Sequence, residues 1–103
     1  MYLSIRKFSG AADRDEVVRQ VEEGLVPQLR EHTGFVAYYA VEFDDGDLGS
    51  VIVFESKEHA DSSMEQSLGW LKENLSELLP NEPQVHRGEV LIHEAAKSLG
   101  KSA

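Results

Sequence analysis

The first apolar residues of the chain alternate with polar ones. From residue 2 to residue 8, Leu3 and Ile5 fall on one side of an extended backbone, and the other side carries Tyr2, Ser4, Arg6 and Phe8. Alternation with a period of two is typical of a β-strand that has one buried face. The segment therefore predicts a first strand.

Helical spacing follows this strand. Asp13 and Glu16 resemble a capping box, and apolar residues then recur at helical intervals as far as residue 31, at Val17, Val18, Val21, Leu25 and Leu29. Within this pattern, Pro27 lacks an N–H and crowds the carbonyl four residues before it. We expect a first helix that is kinked or broken near residues 24–27.

Two apolar runs joined by a turn come next. Residues 35–43 (FVAYYAVEF) and 51–54 (VIVF) carry apolar side chains on both faces of an extended chain. The segment between them, DDGDLG, contains the Asp-Gly pair that favours a hairpin turn. The pattern predicts strands two and three as a hairpin in which both faces are buried.

A long helix and a last strand complete the pattern. Ser56 can cap a second helix over residues 57–79, whose apolar stripe is Ala60, Met64, Leu68, Leu71, Leu75 and Leu78. Prolines end this helix, and residues 85–93 predict a fourth strand with Gly88 as a bulge or a close backbone contact. Residues 95–103 predict a flexible tail behind a single domain of residues 1–94.

The element order β-α-β-β-α-β predicts an α+β, ferredoxin-like subunit. Its four-stranded antiparallel sheet carries both helices on one face. Strands two and three are apolar on both faces, and a chain of 103 residues has no further element to cover the second face. A second copy of the sheet is the simplest cover. We therefore expect a homodimer packed sheet to sheet, although the pattern does not say which face forms the interface.

Charge and composition exclude several classes of partner. Ten Lys and Arg against 19 Asp and Glu give a net charge of -9, so nucleic acid and anionic membrane surfaces are not expected partners. The chain has no cysteine, which excludes disulfides and thiolate chemistry and fits a reducing compartment. No signal-like or membrane-spanning apolar run is present. These features favour a cytoplasmic protein.

Three stretches resemble a known family. HTGFVAYYAVEFDDG, SVIVFESKEHAD and ENLSELLPNEPQVHRGEVLIH are similar to the antibiotic biosynthesis monooxygenase-like group of the dimeric α+β barrel superfamily, over roughly residues 2–94. The resemblance implies a ferredoxin-like subunit and a barrel made by the sheets of two subunits. Known members include cofactor-free monooxygenases of polyketide quinols, haem-degrading enzymes and many small proteins with no assigned activity.

A flank of the predicted second helix supplies the first candidate site. Trp70 and Asn74 lie one turn apart, beside the apolar stripe and not within it. An aromatic ring next to an amide can stack on and orient a flat phenolic or quinol substrate, so we assign both a catalytic role. The alternative is that Trp70 packs within the fold and that Asn74 is solvated.

The strands supply the remaining candidates. Arg6 and Arg87 can each hold an enolate or carboxylate oxygen, while Tyr38 and Tyr39 are further substrate-binding candidates. His93 shares a face of strand four with Arg87 because their separation is even, and its imidazole is a candidate general base. The alternative is that Arg87 forms an ion pair along or across the sheet and that His93 lies near the strand end.

Neither a metal nor another cofactor is expected. His86 and His93 are seven residues apart, so on a regular strand they point to opposite faces. The haem-degrading members resemble one another in an Asn on strand one, a Trp on the second helix and an iron-ligating His after it. This chain has Ser4 and Arg6 in place of the Asn and has no His between Trp70 and the end of that helix. Haem degradation by that scheme is therefore not expected.

Two functions remain open. The first is a homodimeric protein that binds a small aromatic or polyketide-like ligand and acts as a cofactor-independent monooxygenase on a phenolic or quinol substrate. The alternative is a non-catalytic dimeric binding or stress-response protein with no oxygenase activity. Whether the chain is an enzyme is thus undecided by the sequence, and a ligand-sized pocket lined by the candidate residues would favour the first function.

Overall fold

The order of strands and helices in the computed structural model matches the predicted one. The structure describes residues 1–96. Its elements are β1 (Tyr2–Phe8), α1 (Arg14–Gln20), a π-helical turn (Val21–Leu25), α2 (Val26–Glu31), β2 (Phe35–Glu42), β3 (Leu48–Phe54), α3 (Lys57–Leu75) and β4 (Gln84–Glu89). Of the predicted tail, residues 97–103 lie outside the described part of the chain.

The four strands form one antiparallel sheet in the order β2-β3-β1-β4. β1 lies in the middle, where Arg6 pairs with Ser50 of β3 on one side and with Val85 of β4 on the other. The predicted ferredoxin-like fold is confirmed. β3 begins at Leu48, earlier than predicted, because the register with β1 runs on to Phe8 and Leu48.

The predicted break in the first helix is a π-helical turn. The helix begins where the Asp13 carboxylate accepts a hydrogen bond from the backbone N–H of Glu16 at 3.3 Å. The π-helical turn ends just before Pro27, and Gly24 within it faces the Trp70 ring. A Cβ atom on Gly24 would stand 2.4 Å from Cζ2 of Trp70, so only glycine lets the turn approach α3 this closely.

The buried face of α3 is not centred on the predicted stripe. It consists of Ala60, Ser63, Ser67 and Leu75, whereas Met64 and Leu68 are only half buried. The two serine hydroxyls donate to the carbonyls of Ala60 and Met64, so their burial leaves no unpaired donor. α3 also ends at Leu75 instead of Leu79, and after it the Leu78 N–H bonds the Leu75 carbonyl, three residues back, in a tighter turn than that of an α-helix.

β4 ends at Glu89, so the predicted strand over residues 85–93 is too long. Its partner β1 begins at Tyr2, which pairs with Glu89, and the Val90 N–H reaches the Met1 carbonyl as the last bond. The predicted bulge or close backbone contact at Gly88 is wrong as well, since Gly88 pairs in register with Leu3 and nothing lies within 4 Å of the place where its Cβ would stand. The irregularity of the sheet lies in β2, between Phe35 and Ala37.

The helices cover one face of the sheet. The core between them contains Val17, Val21, Leu25, Leu29, Leu48, Ile52, Phe54, Ala60 and Leu75. The strand register assigns the opposite face, which we call the open sheet face, to the apolar residues Leu3, Ile5, Ala37, Tyr39, Val41, Val51 and Val53. The same register also places Lys7 of β1 and Gln84 and His86 of the edge strand β4 on this face. No element among residues 1–96 packs on it. The apolar pattern predicted for both faces of strands two and three is therefore present.

Candidate functional site

A cavity lies between the first helical segment and the sheet. Its volume is about 180 Å³. Most of its wall is apolar and comes from β1, α1, the π-helical turn, β3 and the end of the α3 region: Phe8, Val17, Val18, Val21, Leu48, Leu71 and Leu79. At the exposed rim, Arg14 and Glu42 form an ion pair of 3.1 Å that joins α1 to β2. The cavity is thus an apolar space with a charged mouth.

The inner polar part of the cavity is formed by Tyr38 and Ser50. Tyr38 lies on the helix-facing side of β2, and Ser50 lies on the same side of β3. Burial raises the pKa of the Tyr38 phenol, while the nearby positive charge of Arg6 acts in the opposite direction. Tyr38 and Ser50 thus add a hydroxyl each to a wall that is otherwise apolar apart from Arg14 and Glu42.

Arg6 lies behind this polar wall and is 2% exposed. It pairs with Ser50 across the sheet, and its Nη2 donates to the Ser67 hydroxyl of α3 at 2.9 Å. Burial lowers the pKa of the guanidinium, and the charged or polar groups that act on it, Tyr38 and Arg87, include no carboxylate. Its Nε has no hydrogen-bond partner among the described residues. Within residues 1–96, the subunit therefore buries a cation without a counter-ion, which is costly unless an anion completes the site.

Arg87 lies on the same side of the sheet as Arg6, but on the edge strand β4. Its Nη2 contacts the Asp61 carboxylate at 2.5 Å, and its guanidinium lies over the Tyr2 ring at 5.0 Å. The Arg87 guanidinium holds the pKa of Asp61 below its ordinary value. Arg87 Nε and the hydroxyl of its cross-strand neighbour Ser4 are both buried and unpaired within residues 1–96.

The predicted catalytic residues are not brought together. Trp70 packs on Gly24 of the π-helical turn, and Asn74 is exposed with its amide donating to the Trp70 carbonyl at 2.9 Å. Neither residue lines the cavity. His93 is exposed and lies beyond the end of β4, so the prediction that it shares a strand face with Arg87 is wrong.

Tyr38 and Tyr39 are consecutive residues of β2, so their side chains point to opposite faces of the sheet. Tyr38 faces the cavity, whereas Tyr39 points to the open sheet face and is 54% exposed. Of the residues at this end of the cavity, Arg6 and Tyr38 were predicted from the sequence as binding candidates, whereas Ser50 and Ser67 were not. The signal for Ser50 was available, since it is the one polar residue in the run SVIVF.

Residues 1–96 contain no group of three or more His, Cys, Asp or Glu side chains that could hold a metal ion. No helix in this part of the chain has the length and apolar character needed to cross a membrane.

Comparison with known proteins gives structural matches alone. No protein-family model matches this sequence, and no curated protein matches it. A protein of unknown function from Nitrosomonas europaea is 18% identical, with a TM-score of 0.71 and 92% of each chain covered. Rv0793 from Mycobacterium tuberculosis is 20% identical, with a TM-score of 0.69, over 91% of this chain and 98% of its own.

A third match carries a description of activity. It is the monooxygenase from the ActVA-Orf6 gene of Streptomyces coelicolor, determined in complex with nanaomycin D. That protein is 20% identical to this chain, with a TM-score of 0.64, over 89% of this chain and 92% of its own. The chain therefore has the fold of the antibiotic biosynthesis monooxygenase-like proteins, as the sequence resemblance predicted.

Proposed function

We propose that this protein is a cytoplasmic homodimer that binds a small phenolic or quinol compound in the cavity beside Tyr38 and oxidises it without a cofactor. The observation that carries the proposal is the buried Arg6 guanidinium, which has no carboxylate partner in the described part of the chain and lies directly behind Tyr38 and Ser50. A ligand that binds as a phenolate or enolate would supply the missing negative charge.

The cavity volume favours a compact ligand. A cavity of about 150 Å³ holds a benzene molecule, so the 180 Å³ of this cavity suits one substituted aromatic ring. Larger fused-ring ligands would extend through the mouth between Arg14 and Glu42. The apolar wall would pack on the ring, and Tyr38 would donate to its oxygen.

The chemistry needs only the substrate and molecular oxygen. In a substrate such as anthrone, whose enol tautomer is a phenol, the methylene group reacts with O₂ to give a carbonyl and one water, so the substrate itself supplies every electron. The difficult requirement is to form the substrate anion. A buried positive charge, acting through the Tyr38 hydroxyl, favours the anion over the neutral ligand and so raises the rate.

The homodimer is proposed on the open sheet face. The centre of that face is apolar, and the charge of Lys7 at the end of β1 is ion-paired with Asp45 at 2.5 Å and with Asp47 at 3.5 Å. The edge strand β4 adds Gln84 and His86 to the same face. A chain with a net charge of -9 would repel its own copy through most of its surface. Contact through this face avoids that repulsion and covers its apolar residues.

A non-catalytic binding protein is the second candidate. The observation that favours it is the dispersal of Trp70, Asn74 and His93, none of which lines the cavity. Their catalytic roles stay predictions. In this reading the same cavity would bind a phenolic ligand without activating it, and oxygen would not be consumed.

The test is oxygen uptake with anthrone as the probe. We expect the protein to accelerate uptake, and we expect Tyr38→Phe and Arg6→Met each to reduce the rate by about 100-fold, the typical effect of losing one donor to a developing anion. Glu58→Gln, an exposed change in the first turn of α3, is the matched control and should keep the full rate. Trp70→Phe measures separately whether Trp70 contributes.

Two results would contradict the monooxygenase proposal. One is uptake by the protein no faster than in buffer, and the other is full activity in Tyr38→Phe. If calorimetry then showed that anthrone binds and that Arg6→Met weakens the binding, the non-catalytic candidate would be supported.

A further inference from the structure

Three buried side-chain atoms have no hydrogen-bond partner, and their residues are neighbours in the sheet. They are Ser4 Oγ, Arg6 Nε and Arg87 Nε, and no other side-chain nitrogen or oxygen within residues 1–96 is both buried and unpaired. Buried polar groups in proteins are nearly always hydrogen-bonded, so an unpaired one indicates a bound water or ion. The presence of all three in one place points to a single occupant.

The strand register brings these residues together on the helix-facing side of the sheet. Ser4 pairs directly with Arg87 across β1 and β4, and Arg6 follows Ser4 by two residues on the same face of β1. Directly paired residues have Cβ atoms about 4.5–5.5 Å apart, and diagonal neighbours such as Arg6 and Arg87 are about 7–8 Å apart. After burial, the charge of Arg87 is the second influence that lowers the pKa of Arg6, as expected for two cations at this separation. We call Ser4, Arg6 and Arg87 the arginine-pair site.

The arginine-pair site has more positive than negative charge around it. Arg6 is buried and has no carboxylate partner among residues 1–96. Arg87 shares the Asp61 carboxylate with Lys57, whose Nζ lies 3.6 Å from it. Three cations therefore surround one carboxylate. Because a guanidinium has only donors, an acceptor with a negative charge would bind here more strongly than a neutral water molecule.

The position of the site favours a small inorganic anion. Ser4 is 6% exposed, and neither Ser4 nor Arg87 lines the cavity beside Tyr38, so a ligand in that cavity would not reach them. The side chain of Arg87 is 22% exposed and meets Asp61 at the surface, which gives an ion a route from solvent. A monatomic anion accepts from several donors at once and brings no donor of its own that would need a partner.

We propose that the arginine-pair site binds one chloride ion, which accepts hydrogen bonds from Ser4 Oγ, Arg6 Nε and Arg87 Nε. This site is separate from the proposed phenolate site. In the strand order β2-β3-β1-β4, Tyr38 lies on one side of Arg6 and Arg87 lies on the other. Arg6 can therefore have a negative partner on each side. The chloride site goes beyond the proposed monooxygenase and does not depend on it.

The first test measures stability against chloride. Urea unfolding is followed in sodium chloride and in sodium gluconate at one ionic strength and one protein concentration, so that screening by salt is the same in both. An ion that binds only the folded state lowers the unfolding equilibrium constant in proportion to its occupancy of the site. For a dissociation constant of about 10 mM, 200 mM chloride should lower it by about 20-fold. Equal stability in the two salts would overturn the proposal and would mean that water fills the site.

Variants locate the effect of chloride in the structure. Arg87→Met removes one donor and one charge and should reduce the chloride effect to less than about twofold. Ser4→Ala is the milder change if Arg87→Met does not fold, and it should weaken chloride binding by about tenfold. Lys7→Met is the matched control, because Lys7 is a cation of β1 on the opposite face of the sheet, and it should keep the full effect. A full chloride effect in Ser4→Ala, or its loss in Lys7→Met, would contradict this site.

Bromide locates the ion directly, because it substitutes for chloride and scatters X-rays anomalously. In crystals of the unchanged protein soaked in bromide, we expect an anomalous peak within hydrogen-bond reach of Ser4 Oγ and both Nε atoms. Peaks only beside exposed cations such as Arg30 would mean adventitious ions only and would overturn the proposal. A peak beside Tyr38 instead would overturn the chloride site but support the proposed phenolate site. A peak at the arginine-pair site in a protein that does not oxidise anthrone would leave the chloride site standing and the monooxygenase refuted.

Discussion

The contact between Gly24 and Trp70 makes one substitution highly informative. In Gly24→Ala, the new Cβ would lie 2.4 Å from Cζ2, 3.0 Å from Cε2 and 3.2 Å from Nε1 of the indole. Ordinary carbon contacts are about 3.5–4.0 Å, so the ring or the π-helical turn must move by about 1 Å. Both belong to packed elements, because Trp70 and the residues beside Gly24, Val21 and Leu25, border the core.

The expected magnitude is the difference between two effects. Replacing Gly by Ala in a helix normally stabilises the protein by up to about 1 kcal/mol. Overpacking of this kind costs about 1–3 kcal/mol. We therefore expect Gly24→Ala to lower the free energy of unfolding by about 1–2 kcal/mol. Gly69→Ala is the matched control, since Gly69 lies inside α3 with open space where its Cβ would stand, and it should raise stability by about 0.5–1 kcal/mol.

Urea unfolding followed by circular dichroism measures both variants at one protein concentration, because dimerisation would make stability depend on it. With a slope of about 1–3 kcal/mol per molar urea, the two midpoints should differ by about 1 M. Trp70→Leu should convert Gly24→Ala into a neutral or stabilising change, giving a coupling energy of about 1–2 kcal/mol. An equal rise in midpoint for Gly24→Ala and Gly69→Ala would refute the close contact.

Two further predictions concern the sheet and the pH dependence of stability. Val51→Asp, on the open sheet face, should give a folded monomer by light scattering, and a dimeric variant would exclude that face as the interface. Ile52→Asp, on the core face of the same strand, should instead lower the free energy of unfolding of the subunit by more than about 3 kcal/mol. Because Arg87 lowers the pKa of Asp61 from its ordinary value of 3.8, the stabilisation it gives is present above that pH and is lost as the pH falls below it. Asp61→Asn should flatten the fall in unfolding free energy between pH 4 and pH 2, and Arg87→Gln should flatten it in part, because Lys57 also lowers the pKa of Asp61. An unchanged slope in Arg87→Gln would argue against this pair.

The order of elements could be predicted because the signals for it are local. Alternation defines β1, the Asp13 cap and Pro27 define the first helix and its break, and Ser56 begins α3. The end of β4 could not be predicted in the same way. It is set by where β1 begins, and this depends on a pairing between the two ends of the chain.

The candidate site was predictable only in part, for a similar reason. Arg6 and Tyr38 face the helices, and strand alternation is enough to place each on a face. Trp70 was assigned to a ligand because its position on α3 is beside the apolar stripe. Its true neighbour is Gly24, and a residue without a side chain gives no hydrophobic signal. The burial of Ser63 and Ser67 was not predicted because serine is a polar residue. Its hydroxyl can nevertheless be buried when it donates to a carbonyl of its own helix, as both do here.

The π-helical turn also sets the rotational phase of the first helical segment. Val17, Val21, Leu25 and Leu29 are spaced by four residues, and all are at least 93% buried. In an uninterrupted α-helix each four-residue step overshoots a full turn by about 40°, so the fourth side chain would have rotated about 120° away from the first. One wider turn takes up this excess and keeps all four on the sheet. The fold therefore depends on the number of residues between Asp13 and Glu31 as well as on which residues they are. Deletion of one residue from the π-helical turn would keep every apolar residue but would rotate the apolar side chains of α1 away from the core.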